Sequence, residues 1–95
     1  MKLVWSVPAR ATIKDIFTYI SVYNPSAAQK VKVNILHSAR KLIEFPELGK
    51  PAERPGVRLL VVIGSPYILA YTTTKEVVEI GSVIDGRMKR APDLF

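Results

Sequence analysis

Arg58 raises the first chemical question, because it lies in a run of chain that is otherwise apolar. The run is PGVRLLVVIGSPYILAY, residues 55–71, interrupted only by a Gly-Ser-Pro break. Arginine is among the side chains least willing to lose water without a partner. Its guanidinium can grip a phosphate or a carboxylate through two parallel hydrogen bonds, which lysine cannot do. Arg58 is therefore either paired with an acidic residue or part of a binding surface.

Few other side chains could take part in acid–base chemistry. His37 is the single histidine and falls on the solvent side of a predicted helix, so we interpret it as a surface residue. Tyr67 and Tyr71 lie on the strand next to Arg58, and tyrosines on an exposed sheet face are typical of binding contacts. With no cysteine, the chain has no disulfide, thiolate nucleophile or cysteine-ligated metal. We expect neither a metal nor a cofactor.

Composition and charge limit the class of protein. The chain has 95 residues, of which 48% are hydrophobic and 23% charged, and this predicts one globular domain over residues 1–95. A net charge of +6 and a pI of about 9.8 indicate affinity for something acidic, either nucleic acid, an anionic surface or an acidic protein, unless the domain is simply basic. No membrane span or signal peptide is apparent, so we expect a cytoplasmic protein without a membrane partner.

Hydrophobic periodicity predicts the elements that position these residues. It changes from a helical period of 3.6 to a strand period of 2 after the proline-rich segment PELGKPAERPG. The predicted elements are a strand over 2–6, helices over 8–23 and 25–45, and strands over 57–63, 67–73 and 77–84. The order β-α-α-β-β-β predicts an α+β fold.

The connection between the helices predicts how the layers pack. Asn24-Pro25 ends one helix and begins the next, so the two helices must form an antiparallel hairpin. The economical arrangement lays this hairpin on one face of a small, mostly antiparallel sheet and leaves the other face open. Alternation places Arg58 on the same face as Leu60 and Val62. We expect this to be the open face, with Leu60 and Val62 uncovered.

Four segments in this order resemble the RelE/ParE superfamily, the toxins of bacterial type II toxin–antitoxin modules, once called plasmid stabilisation proteins. The resemblance covers nearly the whole chain. Its segments are YISVYNPSAAQKV, FPELGKP, VRLLVV followed by PYILAY, and VVEIGSVIDGRMKRAP.

The resemblance implies a protein partner and one of two targets. An antitoxin with an apolar and acidic segment would wrap over the toxin, and operator DNA would be met only through that antitoxin. RelE-like members cleave mRNA on the ribosome, where cations hold the scissile phosphate and a tyrosine or histidine near the C-terminus assists. ParE-like members instead bind and poison DNA gyrase, with no known hydrolytic site.

The residues favour the gyrase-directed branch. Arg58 matches the family's strand arginine, and Arg87 matches the arginine that follows the last strand. Beyond Arg87 the chain has neither tyrosine nor histidine, and Asp93 would repel a phosphate. The alternative is a metal-independent RelE-like endoribonuclease that uses Arg58 and Arg87.

A set of eight residues is predicted to contact the target or the antitoxin. They are Arg58, Leu60, Val62, Tyr67, Tyr71, Arg87, Lys89 and Arg90. Two structural alternatives remain at this stage: Arg58 could pair with Glu79 across the sheet, and the basic tail could be solvated. A degenerate toxin that retains only antitoxin binding is a further possibility.

Overall fold

The computed structural model describes residues 1–87 of the chain and has the predicted order of elements. One element is additional, a two-residue strand inside the proline-rich segment. The elements are β1 (Lys2–Trp5), α1 (Val7–Tyr23), α2 (Pro25–Glu44), β2 (Lys50–Pro51), β3 (Arg58–Val61), β4 (Tyr67–Thr73) and β5 (Val77–Asp85).

The strands form a single mixed sheet in the order β1-β5-β4-β3-β2. β1 runs parallel to β5, whereas the pairs β5–β4, β4–β3 and β3–β2 are antiparallel. Both helices pack on one face of this sheet, as the α+β prediction required. Neither helix in the described part of the chain has the length and apolar content needed to cross a bilayer.

Side-chain caps fix the start of both helices. Ser6 Oγ accepts a hydrogen bond from the Ala9 amide at 3.0 Å and donates one to the Gly81 carbonyl at 2.8 Å, which ties α1 to β5. Asn24 Oδ1 accepts from the Ala27 amide at 3.1 Å, and Pro25 is the first residue of α2. Asn24 has extended backbone angles and ends α1 as well. The hairpin therefore turns on one residue, as predicted.

The core lies between the helical hairpin and the sheet. Its largest fully buried side chains are Tyr71, Ile35, Leu42, Leu69, Ile80, Val62 and Val78. A one-residue register shift at Ala70/Tyr71 leaves Gly81 without a partner on β4, which is a β-bulge. Because of this bulge Val78 and Ile80 before it, and Val83 after it, all belong to the core beside the helices.

The expectation for the two faces of β3 was wrong. Val62 is fully buried in the cluster that contains the helices, and Leu60 packs against the same cluster. Val57 and Leu59 instead belong to a second apolar cluster on the opposite face, where no helix residue takes part. The reason is that β3 is apolar on both sides, so alternation separates two sets of residues without indicating which set faces the helices.

Candidate functional site

Arg58 is held by the loop that follows α2. Its Nη1 donates a hydrogen bond to the carbonyl of Gly49 at 2.7 Å and a longer one to the carbonyl of Glu47 at 3.5 Å. β2 brings the loop to this position, because Pro51 pairs directly with Arg58. The partners of this guanidinium are therefore backbone carbonyls of the loop.

The alternative ion pair with Glu79 does not form. Arg58 lies opposite Tyr71, on the side of the sheet that carries the helices. Glu79 lies opposite Thr72, one position along β4, and its side chain therefore projects from the other face. The two side chains are separated by the sheet itself.

Tyr71 anchors the same loop from within the core. Its hydroxyl donates to the Pro46 carbonyl at 2.8 Å and accepts from the Gly49 amide at 2.9 Å. Gly49 fits only without a side chain, because a Cβ there would lie 2.7 Å from the Tyr71 ring and hydroxyl. Pro46, Gly49, Arg58 and Tyr71 thus form one unit, the loop clamp.

Burial shifts the pKa of Tyr71. Desolvation raises the pKa of Tyr71 above 10.0, although the hydrogen bond from the Gly49 amide and the charge of Arg58 oppose this shift. The hydroxyl is therefore protonated at neutral pH, and both of its hydrogen bonds go to backbone. The prediction that Tyr67 and Tyr71 lie on an exposed face was wrong, since both are buried on the helix side.

A second group of predicted site residues lies at the other end of β4. Tyr67 pairs with Asp85, and Arg87 folds back onto the Asp85 carboxylate through Nε at 3.0 Å and Nη2 at 2.8 Å. These hydrogen bonds lower the pKa of Asp85 from 3.8 to about 2. Burial, followed by the charge of Asp85, raises the pKa of Tyr67.

These three residues line a groove between α1 and the sheet. Its volume is about 780 Å³. The walls are mostly apolar and aromatic, and they include Tyr19, Ile20, Tyr23, Val31 and Pro66. The rings of Tyr19 and Tyr23 meet edge to face with centroids 5.6 Å apart. We call this surface the tyrosine groove.

The predicted site residues therefore separate into two places. Arg58 is paired with Tyr71, and Arg87 lies beyond Asp85, which is paired with Tyr67. Tyr67 and Tyr71 are four positions apart on the strand, a distance of about 13 Å. Each arginine is held by its own local partner, and the two do not converge on a common point. Lys89 and Arg90 lie outside the described residues.

A third surface was missed at the sequence level. β2 pairs with only the first two residues of β3, so the outer edge of β3 beyond them has no strand partner within residues 1–87. Beside that edge is a groove of about 330 Å³. We call it the edge groove, and it is lined by Ser38, Lys41, Phe45, Leu48, Leu60, Val61 and Ile63.

The edge groove exposes large apolar side chains. Val61 is 60% exposed and Ile63 is 77% exposed, and Phe45 and Leu48 beside them are also exposed. Val61 and Ile63 alternate with Leu60 and Val62, so they lie on the face opposite the one expected to be open, and their exposure contradicts that expectation. The signal that could have found this surface is the pair Phe45 and Leu48, which flank Pro46 in a segment with no helix or strand to bury them.

Comparison with known proteins agrees with this architecture. Residues 3–90 match the family described as "ParE toxin of type II toxin-antitoxin system, parDE". A solved structure described as "Chromosomal ParDE TA system from P. aeruginosa" is similar, with a TM-score of 0.78, 26% sequence identity, and coverage of 87% of this chain and 92% of that one.

Two curated relatives align over most of their length. Toxin RelE2 of Caulobacter vibrioides is 34% identical over 79 residues, which are 83% of this chain and 88% of that protein. A candidate toxin of Sinorhizobium fredii, Y4kP, is 30% identical over 76 residues, or 80% of this chain and 79% of its own.

A helical hairpin on a mixed five-stranded sheet is the architecture of the RelE/ParE superfamily of toxins. The chain belongs to the ParE toxin family of type II toxin–antitoxin systems. Membership implies an antitoxin protein as its partner.

Proposed function

We propose that this chain inhibits growth by binding and poisoning DNA gyrase, as a ParE-like toxin, and that a cognate antitoxin neutralises it. The observation that carries the proposal is the state of the two arginines and of Tyr71. All of them are already engaged by the chain's own groups, in two separate places. Such an arrangement suits a surface that binds a protein better than one that cleaves a phosphodiester.

Phosphodiester cleavage needs a free acid or base within hydrogen-bond reach of a phosphate held by cations. The Tyr71 hydroxyl has a raised pKa and uses its hydrogen bonds on Pro46 and Gly49. The fork of Arg87 is occupied by Asp85, whose negative charge would also repel a phosphate. A nuclease mechanism would have to break both arrangements before substrate could bind.

The second candidate is a RelE-like mRNA endonuclease, which would act on the ribosome and would not need a metal. One observation favours it: Tyr67 and Arg87 line the same groove, so a tyrosine and a cation would meet a phosphate there if Arg87 left Asp85. The 34% identity to a protein named toxin RelE2 also supports this candidate. In that case Arg87, and Arg58 if the loop clamp opens, would stabilise the developing charge.

For the antitoxin we propose the edge groove as part of the docking surface. Its apolar walls suit apolar side chains of a partner, and Lys41 suits an acidic one. The unpaired edge of β3 could accept backbone hydrogen bonds from an extended segment. Leu60 lines this surface. Val62 is fully buried, so it supports the surface without contacting a partner.

The test is induction of the chain without its antitoxin, followed by two assays. We expect growth arrest, double-strand breaks in supercoiled DNA when purified chain is added to gyrase, and intact transcripts. Cleaved transcripts with unaffected supercoiling would contradict the proposal and support the mRNA endonuclease instead. Unimpeded growth with retained antitoxin binding would indicate a degenerate toxin.

Variants that remove cations locate the target contacts. Arg87→Ala should relieve toxicity, and so should a tail variant with Lys89→Gln and Arg90→Gln, if these cations meet the target. Lys75→Ala is the matched control for Arg87, because Lys75 is an exposed cation in the turn between β4 and β5. Equal toxicity of Arg87→Ala and the control would remove Arg87 from the site.

A further inference from the structure

The outer face of α2 carries a row of basic and polar side chains, of which the proposed function uses only Lys41. Lys30, Asn34, His37 and Lys41 follow one another at intervals of four, three and four residues, so they lie nearly along one line of the helix. Arg40 flanks the row, three residues after His37. All five side chains are exposed. We call them the basic strip, and from Lys30 to Lys41 it is about 16 Å long.

Within residues 1–87, the positive charges of the strip form no ion pairs with carboxylates. No carboxylate in residues 1–87 lies within ion-pair distance of Lys30, Arg40 or Lys41. The single acidic residue of α2 is Glu44, which follows Lys41 by three residues and ends the same line of the helix. Lys32 is a contrast, because its Nζ lies over the Phe17 ring, 5.3 Å from the centroid, on the side of α2 that faces α1.

Helix stability does not account for the whole strip. Cations near a helix C-terminus interact favourably with the helix dipole, and this accounts for Arg40 and Lys41. Lys30 lies in the second turn from the N-terminus, where a positive charge gains nothing from the dipole. A row of cations that extends toward the helix N-terminus, where the dipole disfavours positive charge, indicates a ligand with negative charges along its length.

The chemistry of the strip indicates which ligand. Protein interfaces have an apolar core with a polar rim. From Lys30 to His37 the strip has Val33 as its exposed apolar neighbour, and the exposed apolar residues Ile43 and Phe45 lie only at its Arg40–Lys41 end. Single-stranded nucleic acids are held by aromatic side chains on which bases stack, and the strip has none. Cations with interspersed amide donors on a rigid helix suit the phosphate backbone of a duplex.

We propose that the basic strip binds the phosphate backbone of double-stranded DNA. The choice of DNA over duplex RNA rests on the proposed function, in which the chain acts on an enzyme that holds DNA. The toxin then contacts the DNA of its target complex through α2. The contact is with the backbone, so it is independent of base sequence.

The experiment is a titration of a fluorescently labelled 20-base-pair DNA duplex with the purified full chain, followed by anisotropy at 50 to 200 mM salt. Contacts with about three phosphates predict a slope of about −2.7 for log affinity against log salt, or affinity about 40-fold weaker at the higher salt. In the strip variant, Lys30→Gln/Arg40→Gln/Lys41→Gln, we expect a slope close to zero and correspondingly weak binding at 50 mM salt.

A second triple variant controls for net charge. Lys2→Gln/Lys50→Gln/Lys75→Gln lowers the formal charge of +6 by the same three units, through exposed lysines outside the strip. It should retain the wild-type slope. Both variants should keep the wild-type circular dichroism spectrum, since all six positions are exposed. The strip variant should melt only slightly below the wild type, because Arg40 and Lys41 no longer interact with the helix dipole.

Three outcomes would overturn the proposal: equal losses in the two triple variants, absence of binding by the wild-type chain at 50 mM salt, or tighter binding to a duplex RNA of the same length. The assay contains no gyrase. If DNA binding fails while gyrase is still poisoned, only this inference is lost. If the chain binds DNA but leaves gyrase unaffected, the proposed function is lost instead.

Discussion

At the scale of single residues, the Tyr71 hydroxyl has a structural task that its sequence position did not reveal. It holds both a carbonyl and an amide of the loop after α2, and it leaves no room for a side chain at residue 49. Arg58 holds the same loop through the Gly49 carbonyl. The position of the guanidinium therefore depends on a phenol on the neighbouring strand.

Removal of this hydroxyl should loosen the loop clamp. Tyr71→Phe leaves the Pro46 carbonyl and the Gly49 amide without their partner, and we expect the free energy of unfolding to fall by about 1–3 kcal/mol. Urea denaturation measures this loss, and amide hydrogen exchange at Gly49 should become faster. Tyr23→Phe is the control, since Tyr23 is exposed. Unchanged stability and slow exchange at Gly49 in Tyr71→Phe would contradict the clamp.

The sequence predicted part of this arrangement. Adjacent strands put Arg58 and a tyrosine side by side, and the structure pairs Arg58 with Tyr71. It could not predict that backbone carbonyls would serve as the arginine's partners. Those carbonyls come from a segment without regular periodicity, whose path is set by β2 and by the absence of a side chain at Gly49.

At the scale of elements, the sequence specified the arrangement of the helices more fully than the orientation of the strands. The hairpin follows directly from Asn24-Pro25, because the cap and the proline leave one way to connect two helices. β3 is apolar on both faces, so its orientation depended on how Arg58 was interpreted. An arginine among apolar residues predicts that its face of β3 is open. This prediction was wrong, because the loop after α2 supplies backbone carbonyls to the guanidinium.

Two adjacent valines test the corrected orientation of this segment. Val62 is fully buried and Val61 is 60% exposed. Val62→Ala should lower the free energy of unfolding by about 2 kcal/mol, because it removes buried methyl groups and leaves a cavity. Val61→Ala should change it by about 0.5 kcal/mol or less. Chemical denaturation of both variants makes the comparison, and the reverse order would restore the original assignment of faces.

At the scale of the whole molecule, the chain leaves apolar surface along one edge of its sheet while its core is small. A partner that binds only the folded form adds stability in proportion to the logarithm of its concentration, about 2.7 kcal/mol at 100 times its dissociation constant. The free toxin should therefore be the less stable form, and the complex the more stable one. The edge groove is where we expect much of that difference to arise.

The melting temperature of the chain should rise as antitoxin is added. Ile63→Ser should reduce this rise, because Ile63 lines the edge groove and is 77% exposed. Val22→Ser is closely matched, since Val22 is 76% exposed but lies on α1, away from that groove. Thermal melts with and without antitoxin measure both. Equal effects of the two substitutions would place the antitoxin elsewhere.

The parallel pairing of β1 with β5 has a consequence for the order in which a nascent chain can mature. Lys2 pairs with Val77 and Trp5 with Ile80, so the first strand has no sheet neighbour until the fifth has been translated. The helical hairpin can form early from local contacts, but its supporting layer stays incomplete until late in translation. The folded, harmful form is thus withheld until nearly all of the described chain has been made.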